Sequence, residues 1–429
     1  GTTPYVAGTN AASIFVKTPA TATITLTGTN LPGGCTETAT VIFTVSTKTY
    51  NAGFWAPGGP PLNNGTENLV FNSGTYTSTG NLSACSCSVT GATVTMASGH
   101  TLSLVNGLTV SSGSMTFESG ASLLQTNPVA NTGNITYKRD STPCFRYDYT
   151  YWSSPVANQV LSAFSPNTNP NRFYVFNHTP SVYQWANVSN ASVMDAARGY
   201  IIRAPNTIST TVPAPWAGEF FGTPHNGQYT EGVVLSGNGD RNLLGNPYPS
   251  AISADDLYAE NSSVLVGNFY FWTHNTPITN NVYTENDYAV YNQTGGTAAA
   301  INTGINNGIP TGYIAAGQGF FVQGLSSGTV TFNNTMRVIG NNSDFFRPGG
   351  NKIQSTPSSK HRIWLNLTNA SGAFKQQLIG YIQGATNQVD NRFDADAVEA
   401  GNSINFYSLV NTTPLSIQGR SVPFQMTDT

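Results

Sequence analysis

The chain reads as an all-β protein of several modules, and three observations carry that reading. It runs to 429 residues, well beyond one typical domain. Apolar residues make up 39% and charged residues only 9%, so the polar surface must be built from Thr, Ser, Asn and Gly rather than from ion pairs. Thr and aromatic residues suit a pleated surface, while Gly and Asn tolerate the positive φ of tight turns. Period-2 alternation recurs along the chain, and no amphipathic helix longer than a few turns is visible. A core is still within reach, because 22 Phe, 20 Tyr and 6 Trp each bury a large area.

Residues 1–49 have the pattern of a partial immunoglobulin-like β-sandwich. The alternating runs Thr21-Ala-Thr-Ile-Thr-Leu-Thr27 and Thr38-Ala-Thr-Val-Ile-Phe-Thr-Val45 flank a Pro32-Gly33-Gly34 turn. A complete sandwich takes about 7 strands and ~100 residues, so this stretch supplies about half. Residues 50–137 open with Ala56-Pro-Gly-Gly-Pro-Pro61 and then change rhythm. Apolar pairs (Val94/Met96, Leu102/Leu104, Leu108/Val110, Met115/Phe117, then Leu123) are punctuated by Gly91, Gly99, Gly107, Gly113 and Gly120. That spacing predicts stacked β-solenoid rungs, with a β-meander as the alternative.

Residues 138–350 hold an internal duplication, with copies at about 138–240 and 241–350. Arg172-Phe-Tyr-Val-Phe-Asn-His-Thr-Pro180 matches Asn268-Phe-Tyr-Phe-Trp-Thr-His-Asn-Thr-Pro277 with one insertion. Ala196-Ala-Arg-Gly-Tyr-Ile-Ile-Arg-Ala-Pro205 matches Ala315-Ala-Gly-Gln-Gly-Phe-Phe-Val-Gln-Gly324, and Tyr151-Trp-Ser-Ser-Pro-Val156 sits where Gly245-Asn-Pro-Tyr-Pro-Ser250 sits in the second copy. A longer Asn/Thr/Gly-rich insert in the second copy, about Tyr291 to Pro310, reads as a surface loop. The polar stretch 347–359 marks a boundary, and residues 351–429 form a C-terminal β module restarting at His361-Arg-Ile-Trp-Leu-Asn-Leu-Thr368. This module reads as cut short, and the start at Gly1 reads as that of a processed or excised segment.

A net charge of −3 without a Lys/Arg cluster argues against nucleic acid and anionic membranes as partners. No apolar run approaches the ~20 residues that span a bilayer. The four cysteines, Cys35, Cys85, Cys87 and Cys144, lack CxxC spacing and read as disulfide formers in an exported chain. Cys85 and Cys87 are two apart in a strand pattern, so each is expected to pair with Cys35 or Cys144.

At this point the motifs resemble a family. Asn242-Leu-Leu-Gly-Asn-Pro-Tyr-Pro-Ser-Ala-Ile-Ser253, Asn268-Phe-Tyr-Phe-Trp-Thr-His274 and Gly317-Gln-Gly-Phe-Phe-Val322 are similar to stretches of large modular surface proteins of gliding Bacteroidota. Asn81-Leu-Ser-Ala-Cys-Ser-Cys-Ser-Val89 and Arg146-Tyr-Asp-Tyr-Thr-Tyr-Trp-Ser-Ser-Pro155 resemble the same group. Arg362-Ile-Trp-Leu-Asn-Leu-Thr368 and Leu415-Ser-Ile-Gln-Gly-Arg420 look like the start of its type C sorting region, without the final strands. The resemblance spans roughly residues 50–429. It implies export by the type IX secretion system to the surface of a Gram-negative cell, and it says little about molecular function. It also makes Asp140-Ser141-Thr142 similar to a short O-glycosylation pattern, with Ser141 as the acceptor.

Residues that could carry chemistry are few. Gly324-Leu-Ser-Ser-Gly328 fits G-x-S-x-G, but a strand pattern rather than a helix follows it, so it reads as a turn. The histidines are scattered; His178 and His274 occupy equivalent places in the two copies, which suits a strand-end hydrogen bond or a shared site. Asp390, Asp394, Asp396 and Glu399 form the densest acidic cluster, where a Ca²⁺ ion could bridge carboxylates; a solvated acidic loop is the plainer reading. Asp240, Asp255 and Asp256 are weaker Ca²⁺ candidates. Trp272 and Trp364 sit in alternating strands and are expected in the core, whereas Trp55 and Trp216 lie beside Pro and Gly and are the candidates for stacking on a glycan. Asn-x-Ser/Thr sequons, such as Asn64, Asn134, Asn187, Asn292 and Asn366, echo the composition.

These observations predict no catalytic residues and a structural or adhesive cell-surface protein. The alternatives are a carbohydrate-binding module, a filament subunit assembled by strand addition, or an enzyme with its catalytic domain elsewhere. The expected partners are other surface proteins, a second copy meeting head-to-tail, or polysaccharide.

Overall fold

The computed structural model describes residues 22–29, 36–43, 45–275, 278–279, 282–283, 287–299, 308–342, 361–369, 373–398 and 404–423. The protein is all-β, at 51% strand and 4% helix. At the N-terminal side, β1 (Ala22–Thr29) and β2 (Thr36–Phe43) form an antiparallel pair, with Ala22 opposite Phe43 and Thr29 opposite Thr36. Among the described residues this pair is what stands for the expected partial sandwich. Cys35 and the Pro-Gly-Gly turn lie outside them.

A β-solenoid of about four turns comes next, rather than a meander. Its strands are β3 (Thr47–Asn51), β4 (Phe54–Ala56), β5 (Asn68–Ser73), β6 (Thr75–Thr77), β7 (Leu82–Ala84), β8 (Ser86–Met96), β9 (Thr101–Leu104), β10 (Leu108–Phe117), β11 (Ser122–Gln125) and β12 (Ile135–Cys144). One parallel ladder runs β3-β5-β8-β10-β12 and a second runs β7-β9-β11. Equivalent residues stack into columns: Leu69, Cys87 and Leu108; Met96, Phe117 and Tyr137; Leu82, Leu102 and Leu123. The apolar pairs of the sequence are these columns, nearly all buried. The ladder already includes β3, at the end of the stretch read as 1–49.

β12 joins the solenoid to the duplicated region. It is the last parallel rung, beside β10, and its other edge pairs antiparallel with β17, Ile135 lying opposite Gly222 and Cys144 opposite Ala214. The first copy comprises β12, β13 (Tyr149–Trp152), the short helix α1 (Leu161–Phe164), β14 (Phe173–Thr179), β15 (Val182–Asn187), β16 (Tyr200–Arg203) and β17 (Ala214–Gly222). The second begins before the boundary read at about 241, because β18 pairs with β28, and comprises β18 (Tyr229–Val233), β19 (Arg241–Gly245), β20 (Ile252–Ser253), α2 (Ala254–Asn261), β21 (Leu265–Trp272), β22 (Ile278–Thr279), β23 (Val282–Tyr283), β24 (Tyr288–Asn292), β25 (Gly295–Thr297), β26 (Tyr313–Ile314), β27 (Gly319–Gly324) and β28 (Gly328–Phe332).

The two copies share one topology. Their inner sheets run β13-β16-β14-β15 and β19-β27-β21-β24-β25, the second longer by one strand, and in each the first strand of the copy pairs with the last, β12 with β17 and β18 with β28. They meet through reciprocal bridges, Trp152 with Gln318 and Arg198 with Leu244. α2 starts at Ser253, whose Oγ accepts from the Asp256 backbone N–H at 3.1 Å. Asp255 and Asp256 thus lie in a helix's first turn, where carboxylates offset the positive dipole end.

Buried amide and guanidinium groups fasten these units together. In the Asn-Pro-Tyr-Pro-Ser motif Asn246 is fully buried; its amide donates to the carbonyls of Ser250, Ile314 and Ala315 at 2.9–3.1 Å, and its Oδ1 accepts from Tyr248 N. Arg337 donates to Ser250 Oγ, Asn226 Oδ1 and the Leu123 carbonyl of the solenoid, and lies over the Tyr248 ring. Burial pulls its pKa down to about 10.

The C-terminal sheet has β29 (His361–Thr368), β30 (Phe374–Tyr381), β31 (Ala395–Asp396), β32 (Ser408–Val410) and β33 (Thr413–Arg420) in the order β29-β30-β33-β31, with β32 also on β33. It is tied to the second copy by Thr294 Oγ1 donating to the Phe393 carbonyl and Gly267 N to that of Asn391. Trp364 departs from the expected core position: it lies on an edge strand, 38% exposed, with its indole N–H donating to the Gly296 carbonyl.

At the solenoid bend Gly113 has φ +80°, and an added Cβ would lie 2.2 Å from the Ala92 carbonyl oxygen of the rung beside it. Replacement by Ala combines a disfavoured φ with a clash against backbone that cannot rotate away. Gly113→Ala is expected to cost about 2–4 kcal/mol, read as a fall in the thermal unfolding midpoint.

Candidate functional site

Most of the chemistry-bearing residues singled out in the sequence turn out to be structural. Trp216 is 4% exposed, packed edge-on against Trp152 at 5.0 Å, so it is core despite its Pro and Gly neighbours. Trp55 is half-buried against Tyr50, Phe71 and Tyr76 at 5.3–5.8 Å, where β4 covers the end of the solenoid. Trp216 therefore offers no free face to a sugar. Ser141 is buried because β17 occupies the edge of β12; its hydroxyl donates to the Thr142 carbonyl and accepts from Trp216 N, which rules out an exposed acceptor here.

No disulfide joins the described cysteines, which corrects the expected pairing of Cys144 with the Cys85/Cys87 pair. Cys87 lies in a solenoid column and Cys144 faces Ser141 and the Ala214 carbonyl at the far end of β12, and burial pushes both thiols up to about 12. Cys85 is buried in the solenoid turn, where Asn106 donates to its sulfur.

The acidic cluster does not converge. Asp394 accepts from the backbone N–H groups of Asp390 and Gly419, Asp390 from that of Thr386, and Asp396 from the Gln323 amide. Each carboxylate is thus engaged by a different donor; Glu399 lies outside the described residues. No group of three or more His, Cys, Asp or Glu able to hold a metal ion occurs among the described residues. The G-x-S-x-G stretch links β27 to β28, so a strand does follow it.

The paired histidines bond across the copies. His178 Nδ1 lies 3.1 Å from the Arg241 carbonyl and Nε2 lies 3.0 Å from Ser236 Oγ, both in the second copy. His274 Nε2 reaches back to Thr142 Oγ1 of the first at 3.1 Å, and burial lowers its pKa to about 4. These are the strand-end hydrogen bonds that the duplication suggested.

One open space among the described residues was not singled out in the sequence. It is a cleft of about 220 Å³ between the two copies. The β14–β15 hairpin contributes Phe176, Tyr183 and Trp185. The second copy contributes Arg241, Tyr270, Tyr288 and Phe321 from β19, β21, β24 and β27, and Val398 closes one side from the C-terminal module. Phe176 packs edge-on against Tyr183, Trp185 and Phe321 at 4.9–5.1 Å, while Trp185 stays 37% exposed. The Arg241 guanidinium stands 4.0 Å from the Tyr270 ring centroid and 3.6 Å from Asp240. Gln323 donates to both Asp240 (2.7 Å) and Asp396 (3.2 Å), so two carboxylates face this cation. Tyr270 is 2% exposed, and its hydroxyl and Arg241 Nη1 are both buried, Nη1 facing the Asp240 carboxylate. The sequence signal that points here is the register of the two repeats, since Tyr174-Val-Phe176 and Tyr270-Phe-Trp272 occupy matched strands.

The pattern of a family described as a domain of unknown function, DUF8693, matches residues 43–429. No curated protein and no solved structure matches the chain.

Within the first copy a carboxyl is held away from solvent. Asp148 is 4% exposed; burial, reinforced by the Asp287 carboxylate, raises its pKa to about 7, although the Phe145 N–H it accepts pulls the other way. The folded state therefore keeps a proton that the unfolded chain releases from pH 3.8 upward. Its contribution to stability is greatest in acid and is lost as the pH rises to about 7. Asp148→Asn is expected to match the native stability near pH 4 and to exceed it at pH 8, by at most about 4 kcal/mol, with a correspondingly higher melting temperature there. Paired melting curves across that range check the sign.

Proposed function

The chain belongs to the DUF8693 family, and on that premise we propose that it is a non-catalytic structural and adhesive protein of a Gram-negative cell surface, exported by the type IX secretion system. One observation carries the structural part. β12 belongs to the solenoid ladder and to the first copy at once, so one hydrogen-bonded sheet, β17-β12-β10-β8-β5-β3-β4, runs through both. A load on either is passed through backbone hydrogen bonds instead of a flexible linker, which suits a rigid spacer. The placement of Ser141, Trp55, Trp216 and the paired histidines in packing roles supports the non-catalytic part. The export route rests on the resemblance of the repeat and C-terminal motifs.

A second reading, a filament subunit built by β-strand addition, is favoured by β29. This edge strand pairs only with β30 among the described strands, and all of its residues are exposed, Ile363 at 50% and Leu365 at 43%. Exposed apolar edges are templates for a further strand.

Labelling of intact cells with antibody against the chain is expected to succeed in a secretion-competent strain and to be lost when type IX secretion is disabled. Unchanged labelling would overturn the export route, and turnover of a polysaccharide, ester or peptide, abolished by a point substitution in this chain, would overturn the non-catalytic reading. Native mass measurement separates the two architectures: a monodisperse monomer of 45.4 kDa removes the filament.

A further inference from the structure

The first copy gathers cations that the sequence keeps apart. In its inner sheet Tyr149 lies opposite Arg203 and Phe173 opposite Ile202. The same register sets Arg172 opposite Arg203, whose backbone N–H donates to the Arg172 carbonyl at 3.1 Å. Residues directly opposite share a face, so Tyr149, Arg203 and Arg172 make one row across three neighbouring strands. The Arg203 guanidinium stands 5.7 Å from the Tyr147 ring centroid and donates to Asn206 Oδ1. Arg172 donates to the Tyr174 hydroxyl at 3.0 Å, and Arg146 donates through Nε to the Ile208 carbonyl on the loop after β16. Arg172 is exposed, Tyr147 is 51% exposed, and Arg146 and Arg203 are partly exposed.

Packing alone does not account for this row. Like charges directly opposite across a strand pair are destabilising. The acceptors of all three guanidiniums are neutral, and none of the three forms an ion pair among the described residues. Asp148, the nearest carboxyl along the chain, is 4% exposed and accepts from the Phe145 N–H at 2.7 Å, so it is engaged inside the fold. What is left is an exposed arginine fork, a second cation beside it and an exposed aromatic ring. The fork of an arginine matches a carboxylate with two parallel hydrogen bonds. An acidic peptide would use the arginines and leave Tyr147 bare. A nucleic acid fits less well: DNA-binding proteins engage about 6–10 phosphates, against three arginines here on a chain of net charge −3. A sugar ring that carries a carboxylate uses both features, its anion on Arg172 in the field of Arg203 and its C–H face on Tyr147. We propose that this patch binds the uronate units of an acidic polysaccharide. The proposal stands apart from the cell-surface reading, since it depends on the patch and not on where the protein resides.

The test uses the full chain, titrated with a short oligogalacturonate, its neutral methyl-esterified form, inorganic sulfate and single-stranded RNA. Calorimetry and saturation-transfer NMR report binding. The acidic oligomer is expected to bind with Kd on the order of 1 mM, and more weakly as salt rises, since exposed charges are screened. Arg172→Gln removes the exposed fork and is expected to weaken binding about tenfold. It should melt at the native temperature or above, because the opposed charges are relieved. Tyr147→Ala leaves every charge in place; it should weaken the oligomer several-fold and leave sulfate binding unchanged. No binding of the acidic oligomer, equal binding of its esterified form, sulfate bound as tightly as the oligomer, tighter binding of RNA, or affinity that neither substitution changes would each overturn the proposal. Any of these results would leave antibody labelling of intact cells unaffected, so the two readings fail separately.

Discussion

The architecture depends on how the solenoid's parallel ladder ends. A stack of parallel rungs presents a row of unpaired N–H and C=O groups at each end, and an open end of that kind recruits further strands. At one end β4 folds back antiparallel on β3, with Trp55 packed on the aromatic residues of the first rungs. At the other, β12 accepts β17 antiparallel from Ile135 to Cys144. The second closure fixes the first copy against the solenoid, and the first copy then carries the second through the Trp152–Gln318 and Arg198–Leu244 bridges.

Duplication explains why the cleft lies where it does. Two copies of one topology facing each other reciprocally make an interface from equivalent strands, and each copy sends its strand-end histidine into the other. The match is imperfect: the β14–β15 hairpin stands beside β21, β24 and β27 of a copy that carries extra strands. Where repeats have diverged, side chains from both can face a shared space without filling it. That is the geometry of Phe176, Trp185, Tyr270 and Phe321.

How much was legible depends on which forces act locally. The solenoid was readable because its columns repeat along the chain, Val94 and Met96 in one rung answering Met115 and Phe117 in the next. The copies were readable because their motifs share strands and order. Exposure was not, because it depends on what packs later in space. Trp216 and Ser141 are buried by the β12–β17 pairing, which joins residues about seventy positions apart, and Trp364 is exposed because β29 ends its sheet. The cleft stayed hidden for the same reason, since Trp185 and Tyr270 come together only when the two copies dock.

A chain with 9% charged residues must hold its modules together by other means. It uses side-chain amides. Asn246 bridges three carbonyls, Asn342 donates to the Ala121 carbonyl and to the Tyr137 hydroxyl, and Asn226 donates to the carbonyls of Asn127 and Val129. Amides bring donor and acceptor without the desolvation cost of an ion, so they serve at buried joints where an ion pair often fails to repay its burial. Neutral hydrogen bonds of this kind are also far less screened by salt than exposed ion pairs. In such an interior a cation is conspicuous, and Arg337 and Arg241 each have an aromatic face beneath them: Arg337 over Tyr248 with its donors engaged, Arg241 over Tyr270 with Nη1 buried beside Asp240. The first closes a joint between the solenoid and the second copy. The second, paired with Asp240 at 3.6 Å, helps to line the aromatic space that the docking of the copies leaves unfilled.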